Sequence, residues 1–443
     1  MQIRDLSHGH LSCDLVRREL RRDPRTEDVV RQILDDVSDR GDEALLELGR
    51  KFDSPNLGSL KVSEEELESA TVPEEWMRAI TETAQRVREF HERQLAALTI
   101  GLTVADGVRQ WSAVDGRAVL PAGFSPGALG QRMLPVQSAG IYVPGGGAPY
   151  ASSVIMNAVP AQVAGVSRVV VSSPPSADGS LAPAVLAACR HIGITEVYKA
   201  GGAGAIAMFA LGTDSFRPVD LIAGPGNRYV NEAKRQLWGA VGLDGYAGPS
   251  EVCVVADDEA NAEWAVADLL TQIEHAPDNV PYLVTFSRAK ADEILAAAER
   301  QLAGAKREAT MREALEKRGT GVIVGSLQQA ADFVNLWSPE HVTVAIKDPG
   351  AFLPLIRNAG CVLLGEWTPE SAGDFVLGPS HTLPTGGAAR FGSPVNVLTF
   401  MKLQSVAHTT RDQLEKLTPT IQAFGDMEGF PAHARGATIR FEP

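Results

Sequence analysis

Cysteine is scarce in this chain. The four cysteines, Cys13, Cys189, Cys253 and Cys361, lie far apart without C-x-x-C spacing, and the last three sit inside apolar runs. They read as reduced core residues of a cytoplasmic protein. Positive charge is in deficit: 41 Lys and Arg stand against 55 Asp and Glu, for a net charge of −14. That balance speaks against a nucleic-acid or anionic-membrane surface and favours a small-molecule substrate. Long apolar runs are missing, since each is broken by polar residues well short of a membrane span. The N-terminus, Met1-Gln2-Ile3-Arg4-Asp5, is charged where a signal peptide needs its apolar segment. The dinucleotide fingerprint G-x-G-x-x-G is also absent, so a standard Rossmann phosphate loop is not supported.

What is present is a soluble globular composition, 44% hydrophobic over 443 residues, enough for two to four domains. Residues 1–25 read as a short arm, followed by a charged helical region from Thr26 to about Ala97 that looks structural. Within it, Arg40-Gly41-Asp42 reads as a helix stop and restart, and Ser63 caps a helix that begins with three glutamates. His91 is expected on the surface. From about Ala118 to Gly248 the texture changes to short β-branched runs alternating with Ala-rich helices, the pattern of a parallel α/β sheet. Its strands run into glycine-rich turns at Pro144-Gly145-Gly146-Gly147, Gly201-Gly202-Ala203-Gly204 and Gly224-Pro225-Gly226-Asn227. Such turns at strand carboxyl ends are where open sheets take nucleotides, although ordinary tight turns look much the same.

A second α/β stretch opens at Gly248-Pro249-Ser250-Glu251. Val266, Leu269, Leu270 and Ile273 recur at helical spacing, and Pro277 ends that helix. Gln272 and His275 flank its buried stripe, so an amide oxygen and an imidazole nitrogen could share a cation if the chain supplies further ligands. Glu340-His341, just before a strand, form a candidate acid/base pair. Asp374 and His381 sit in a loop beyond another strand end. The same groups would also suit a zinc hydrolase, with Glu340 as base and no need for a nucleotide.

The motifs Gly140-Ile141-Tyr142-Val143-Pro144-Gly145-Gly146, Gly224-Pro225-Gly226-Asn227, Glu232-Ala233-Lys234-Arg235, Gly248-Pro249-Ser250-Glu251, Gln272-Ile273-Glu274-His275, Pro339-Glu340-His341, Glu370-Ser371-Ala372-Gly373-Asp374, His381-Thr382-Leu383-Pro384-Thr385 and Glu428-Gly429-Phe430-Pro431-Ala432-His433 resemble histidinol dehydrogenase in order and spacing, nearly end to end. The resemblance implies an α/β fold of two incomplete Rossmann-like domains with parallel sheets, an N-terminal helical arm and a small C-terminal tail domain. The expected division is residues 1–25 as the arm, 26–120 with 249–385 as the first α/β domain, 121–248 as the NAD-binding second, and 386–443 as a tail reaching the partner of a homodimer with shared active sites. It further implies a histidine-biosynthesis enzyme that oxidises L-histidinol through L-histidinal to L-histidine. Zinc would be held by Gln272, His275 and Asp374 of one subunit and His433 of the other. Glu340 and His341 would do the acid/base work. Ser250, His381 and Glu428 would contact substrate together with His341 and the zinc ligands, and Tyr142, Gly204 and Asn227 would contact NAD. Gly204 stands where the family usually carries Gln, a departure expected to weaken or re-aim NAD binding. Relatives that oxidise other small alcohols, including a sulfonated diol, keep a second substrate class open.

Overall fold

The computed structural model describes residues 1–7, 23–100, 103–105, 108–114, 117–118, 126–145, 149–245 and 248–443. Cys13, Gly146, Gly147 and most of the expected N-terminal arm lie outside the described residues. In chain order, a strand β1 (Gln2–Asp5) precedes helices α1 (Pro24–Arg40) and α2 (Asp42–Phe52). The break between the two helices is Gly41, whose φ of 54° only glycine adopts readily. Ser63 accepts from the Glu66 N–H and starts the next short helix as its spacing predicts.

The nucleotide-like stretch contains β2 (Ser138–Tyr142), α3 (Ala151–Ala164), β3 (Arg168–Ser172), a helix Pro183–His191, β4 (Glu196–Tyr198), α4 (Gly202–Leu211), β5 (Leu221–Ala223), α5 (Arg228–Leu237) and β6 (Gly242–Leu243). Its five strands are all parallel, in the order β6-β5-β2-β3-β4. The chain therefore reverses its direction of growth between β2 and β5. A crevice opens at such a switch point, at the carboxyl ends of the strands. Gly224, at the end of β5, has φ 118° and leaves no room for a Cβ, which would fall 2.1 Å from the Tyr142 carbonyl. The turn is pinned from below by Lys234, which is buried, donates to the Gly224 carbonyl at 2.6 Å and pairs with Asp244 at 2.8 Å.

The second stretch continues with β7 (Glu251–Ala256), α6 (Ala262–Ile273), β8 (Val280–Thr285), β9 (Thr320–Ile323), β10 (His341–Ala345), β11 (Cys361–Leu364) and a short helix α7 (Glu370–Phe375). With β1 as an edge they form a six-stranded parallel sheet, ordered β1-β9-β8-β7-β10-β11. Every residue of β7 and β10 is buried, as expected of central strands covered on both faces. Helix α6 is capped by Asn261, which accepts from the Glu263 and Trp264 N–H groups. It buries Val266, Leu269 and Ile273, each contributing roughly 1.5–3 kcal/mol, and runs back toward the amino ends of the strands.

Three expectations are corrected. Helices α1 and α2 share one core with β2 to β5, through Val30, Leu34, Leu45, Tyr142, Ile206 and Ile222, so their packing partner is the nucleotide-like sheet and not the sheet bearing Gln272. Strands Thr103–Ala105, Val108–Val114 and Leu129–Pro135 pair antiparallel with each other and with Met401–Ala407, and fall with helices Arg411–Glu428 and Pro431–Thr438 into a separate unit, Gln94–Val136 with Met401–Pro443. Residues 386–400 stay with the two parallel sheets. His91 is fully buried, its Nδ1 2.7 Å from the Val87 carbonyl, because it lies on the inward face of its helix. Among the described residues no helix is long and apolar enough to cross a membrane, and Cys189, Cys253 and Cys361 are free.

Candidate active site

The acid/base pair sits at the amino end of β10, beside the amino end of β7. Register pairs Val252 with His341, which brings Glu251 and Glu340 together. Helix α6 ends at the same edge and delivers Gln272 in its last turn and His275 just beyond it. The chemistry of this sheet is thus gathered at strand amino ends, opposite to where an open α/β sheet ordinarily binds its ligand.

Glu340 is buried, with Oε2 accepting from the Glu251 N–H at 3.0 Å and the Ser250 hydroxyl donating to the same carboxylate. Burial raises its pKa to about 7, against the opposing pull of His341. Ser250 is itself held through its N–H to Asn279 Oδ1, and Asn279 donates to the Gln272 carbonyl. Glu251, next to Glu340, is also buried and pushed up, to about 8, by burial and by the Glu340 charge.

His341 lies between two carboxylates, its Nδ1 3.4 Å from Glu370 and its Nε2 3.3 Å from Asp374. The Gln272 amide is 3.3 Å from the same Nδ1. Burial alone would lower the imidazole pKa, but Glu370, Asp374 and Glu340 outweigh it and raise it to about 10. Burial raises the Asp374 carboxyl, yet the hydrogen bond and charge of His341 overturn this and hold it below the usual value. Glu370 is driven well above its ordinary value by burial. Asp374 stands on α7, not in a loop as expected, and α7 is anchored by the Glu370 N–H donating to the buried Asp268 of α6.

His381 places Nδ1 2.9 Å from the Asp374 carbonyl and Nε2 3.2 Å from Ser153 Oγ on α3. A carbonyl can only accept, so Nδ1 carries the proton and Nε2 accepts from the serine. Burial lowers its pKa and keeps it neutral. Asn157 of α3 donates to Thr382 in parallel, so the nucleotide-like half reaches the acid/base half through one helix. His275 is exposed and close enough to bias the ionisation of both Asp374 and His381.

Three buried carboxyl groups, Glu340, Glu370 and Asp374, therefore surround one imidazole; burial favours the neutral form of Glu370 and raises Glu340 to about 7, and a cation bound here would favour the ionised form of all three. His341, Glu370 and Asp374 offer ligand atoms within 4.8 Å of one another, and Gln272 and His275 add an amide and an imidazole. This nitrogen and oxygen donor set fits zinc.

A cleft of about 1020 Å³ opens at the carboxyl ends of β2, β3 and β4, next to the switch point. It contains all three residues expected at NAD. The Tyr142 hydroxyl accepts from the Gly202 N–H at 3.1 Å. Asn227 spends its side-chain oxygen capping α5, through the Tyr229 and Val230 N–H groups, which leaves its amide nitrogen for a ligand. A Cβ on Gly204 would meet Leu45 and Leu48 methyls at 3.3 and 3.4 Å, so helix α2 closes the space where a longer side chain would start.

Glu428 and His433 belong to the separate unit. Both are exposed, flanking the left-handed Gly429 at φ 72° that joins its two helices. Motif spacing did not single out Glu251, Glu370, Ser153, Asn279 or Asp53. Glu370 alone carried a readable signal, standing four residues before Asp374 at the head of a helical motif.

A sequence profile described as histidinol dehydrogenase matches residues 16–441. Among relatives, the chain is 41% identical to histidinol dehydrogenase of Synechococcus sp. over 93% of this chain and 91% of that one. It is 42% identical to that of Geobacillus kaustophilus over 94% and 95%. The crystal structure of histidinol dehydrogenase from Elizabethkingia anophelis superposes with a TM-score of 0.86 at 32% identity, covering 100% of this chain and 98% of that one.

Proposed function

The chain belongs to the histidinol dehydrogenase family of NAD-dependent oxidoreductases, and from that membership we propose how its residues divide the oxidation of L-histidinol through L-histidinal to L-histidine. The observation that carries the reading is the separate environments of two adjacent side chains. His341 is held by carboxylates on both nitrogens, and Glu340 faces a backbone N–H and a hydroxyl.

Gln272, His275 and Asp374, with His433 of the partner subunit, would hold zinc. When bound, zinc would orient the amino and imidazole nitrogens of the substrate, and NAD would accept hydride. A nitrogen that ligates a cation cannot also act as a base, so His341, although its ligand atoms lie within 4.8 Å of those of Glu370 and Asp374, would be left to proton transfer. Once it has lost its own proton, His341 takes the hydroxyl proton through Nε2, and the carboxylates beside both its nitrogens stabilise the imidazolium that forms while Glu370 on Nδ1 fixes the ring. The aldehyde must add water before it can be oxidised again. Glu340 takes the proton from that water, since one of its oxygens is fixed by the Glu251 N–H and its pKa near neutrality lets it accept. Both groups are nearly shut off from solvent, His341 at 2% and Glu340 at 7% exposure, so the hydrate forms away from bulk water.

The dimer reading is supported by exposed Phe424, Met427 and Phe430 around Glu428 and His433, an apolar face that a partner subunit would cover. The three free cysteines fit a reducing cytoplasm. The nucleotide-sized cleft disfavours a hydrolase. The deciding assay is NADH formation from L-histidinol with zinc-loaded and zinc-stripped protein. Two NADH per histidinol, only with zinc, are expected. Turnover of a different alcohol with none of histidinol would overturn the substrate.

A further inference from the structure

The cleft beside Tyr142 contains a charge that neither the motifs nor the proposed chemistry uses. Asp53, the residue that ends α2, lines this cleft half-buried, and among the described residues no donor meets its carboxylate. It lies against the turn after β4, with Oδ2 2.9 Å from where a Cβ on Gly201 would stand, and close enough to Tyr142 to oppose ionisation of its phenol. Burial raises the Asp53 carboxyl to about 6, which still leaves it ionised at neutral pH. A half-buried carboxylate that lines a cleft and meets no donor from the described residues is free to accept the donors of a ligand.

Its surroundings say which part of a dinucleotide that is. Helix α1 contributes Val29 and Ile33 to the cleft, and α2 contributes Leu45, Leu48 and Phe52, the last 65% exposed. This apolar wall suits the faces of an adenine ring. The reacting end must instead approach His341, and the nucleotide-like half reaches that site through α3, by Ser153 on His381 and Asn157 on Thr382. Asp53 lies beside the turn after β4, the outermost strand of the sheet, whereas α3 follows the central strand β2.

We propose that Asp53 accepts both hydroxyls of the adenosine ribose of NAD and sets the preference for NAD over its 2′-phosphorylated form. This rests on the reading of the cleft as the NAD site. The two carboxylate oxygens match a cis-diol, and the same charge repels a 2′-phosphate carrying about −1.5 to −2. The acidic group that a standard dinucleotide fold places within its own βαβ unit is here supplied by a helix from the N-terminal segment, which explains why no fingerprint spacing announces it.

The test is direct binding of NADH and NADPH to zinc-loaded wild type, Asp53→Asn and Asp53→Ser, by calorimetry or nucleotide fluorescence without substrate. Thermal melting confirms that the variants fold. The expected result is that NADH binds about tenfold more weakly to both variants, as loss of charge-assisted hydrogen bonds implies, while NADPH tightens relative to NADH by at least about tenfold. Unchanged affinities, or equal losses for both nucleotides, overturn the assignment to Asp53 and leave the cleft reading standing. Wild type that binds neither nucleotide overturns the cleft reading itself.

Discussion

Replacing Glu340 by Gln keeps the shape and the oxygen that accepts the Glu251 N–H at 3.0 Å, so the loop before β10 should hold its position. Only the base is lost. If Glu340 serves the hydration step alone, oxidation of supplied L-histidinal should fall by about 10²- to 10⁴-fold, the usual worth of a general base, while the first hydride transfer from L-histidinol changes only a few-fold. In wild type, aldehyde oxidation should climb with pH and level off above about 7, where the carboxyl has lost its proton, and in Glu340→Gln this rise should vanish. Stability supplies an independent check. The folded-state pKa of about 7 lies above the ordinary 4.5, so the folded protein binds this proton more tightly than the unfolded chain does. Stability from this group is therefore greatest below pH 4.5 and is lost as pH rises toward 7, to a total of about 3 kcal/mol. Glu340→Gln removes that penalty, so zinc-stripped variant should melt above zinc-stripped wild type at pH 8 and level with it at pH 4.5. Single-turnover NADH traces with alcohol and with aldehyde, alongside melting curves at the two pH values, decide the matter. Equal loss in both half-reactions would refute the division of labour between Glu340 and His341.

Two further outcomes follow, one from the proposed sharing of a site between subunits and one from the pinned turn. His275→Ala and His433→Ala should each be nearly inactive alone, but mixing them with full subunit exchange should restore roughly a quarter of wild-type activity, because half the dimers are mixed and one site in each is whole under two-fold symmetry. Activity that stays at the level of the separate variants, with exchange verified by differently tagged chains, would show that His433 does not complete its partner's site. Lys234→Ala leaves Asp244 buried without its cation and should cost about 3–5 kcal/mol in urea unfolding, with most of it recovered when Asp244 is also replaced by Leu. A loss below about 1 kcal/mol would mean that the pair does not hold the Gly224 turn.

Local sequence determined a good deal here. Gly41 and Pro277 end helices because backbone geometry leaves no alternative, and Ser63 and Asn261 start them by satisfying free N–H groups. The strands fell where β-branched runs met glycine turns, and Gln272, Glu340, His341, Asp374 and His381 lie near one another around the amino end of β10, with His275 close enough to act on Asp374 and His381. What only tertiary structure decided are contacts between segments far apart in the chain. Register between β7 and β10 brings Glu251 to Glu340, and α7 folding onto α6 presents Glu370 to His341. The packing of α1 and α2 on the nucleotide-like sheet turns a segment that reads as structural into the wall of a cleft with Asp53 at its edge. His91 is buried for the same reason, since the polar look of its neighbours does not reveal which face of a long helix another segment will cover. Helix ends and strand turns follow from the backbone of a few consecutive residues. Burial and charge depend on which distant segments pack together, and that information is spread over the whole chain.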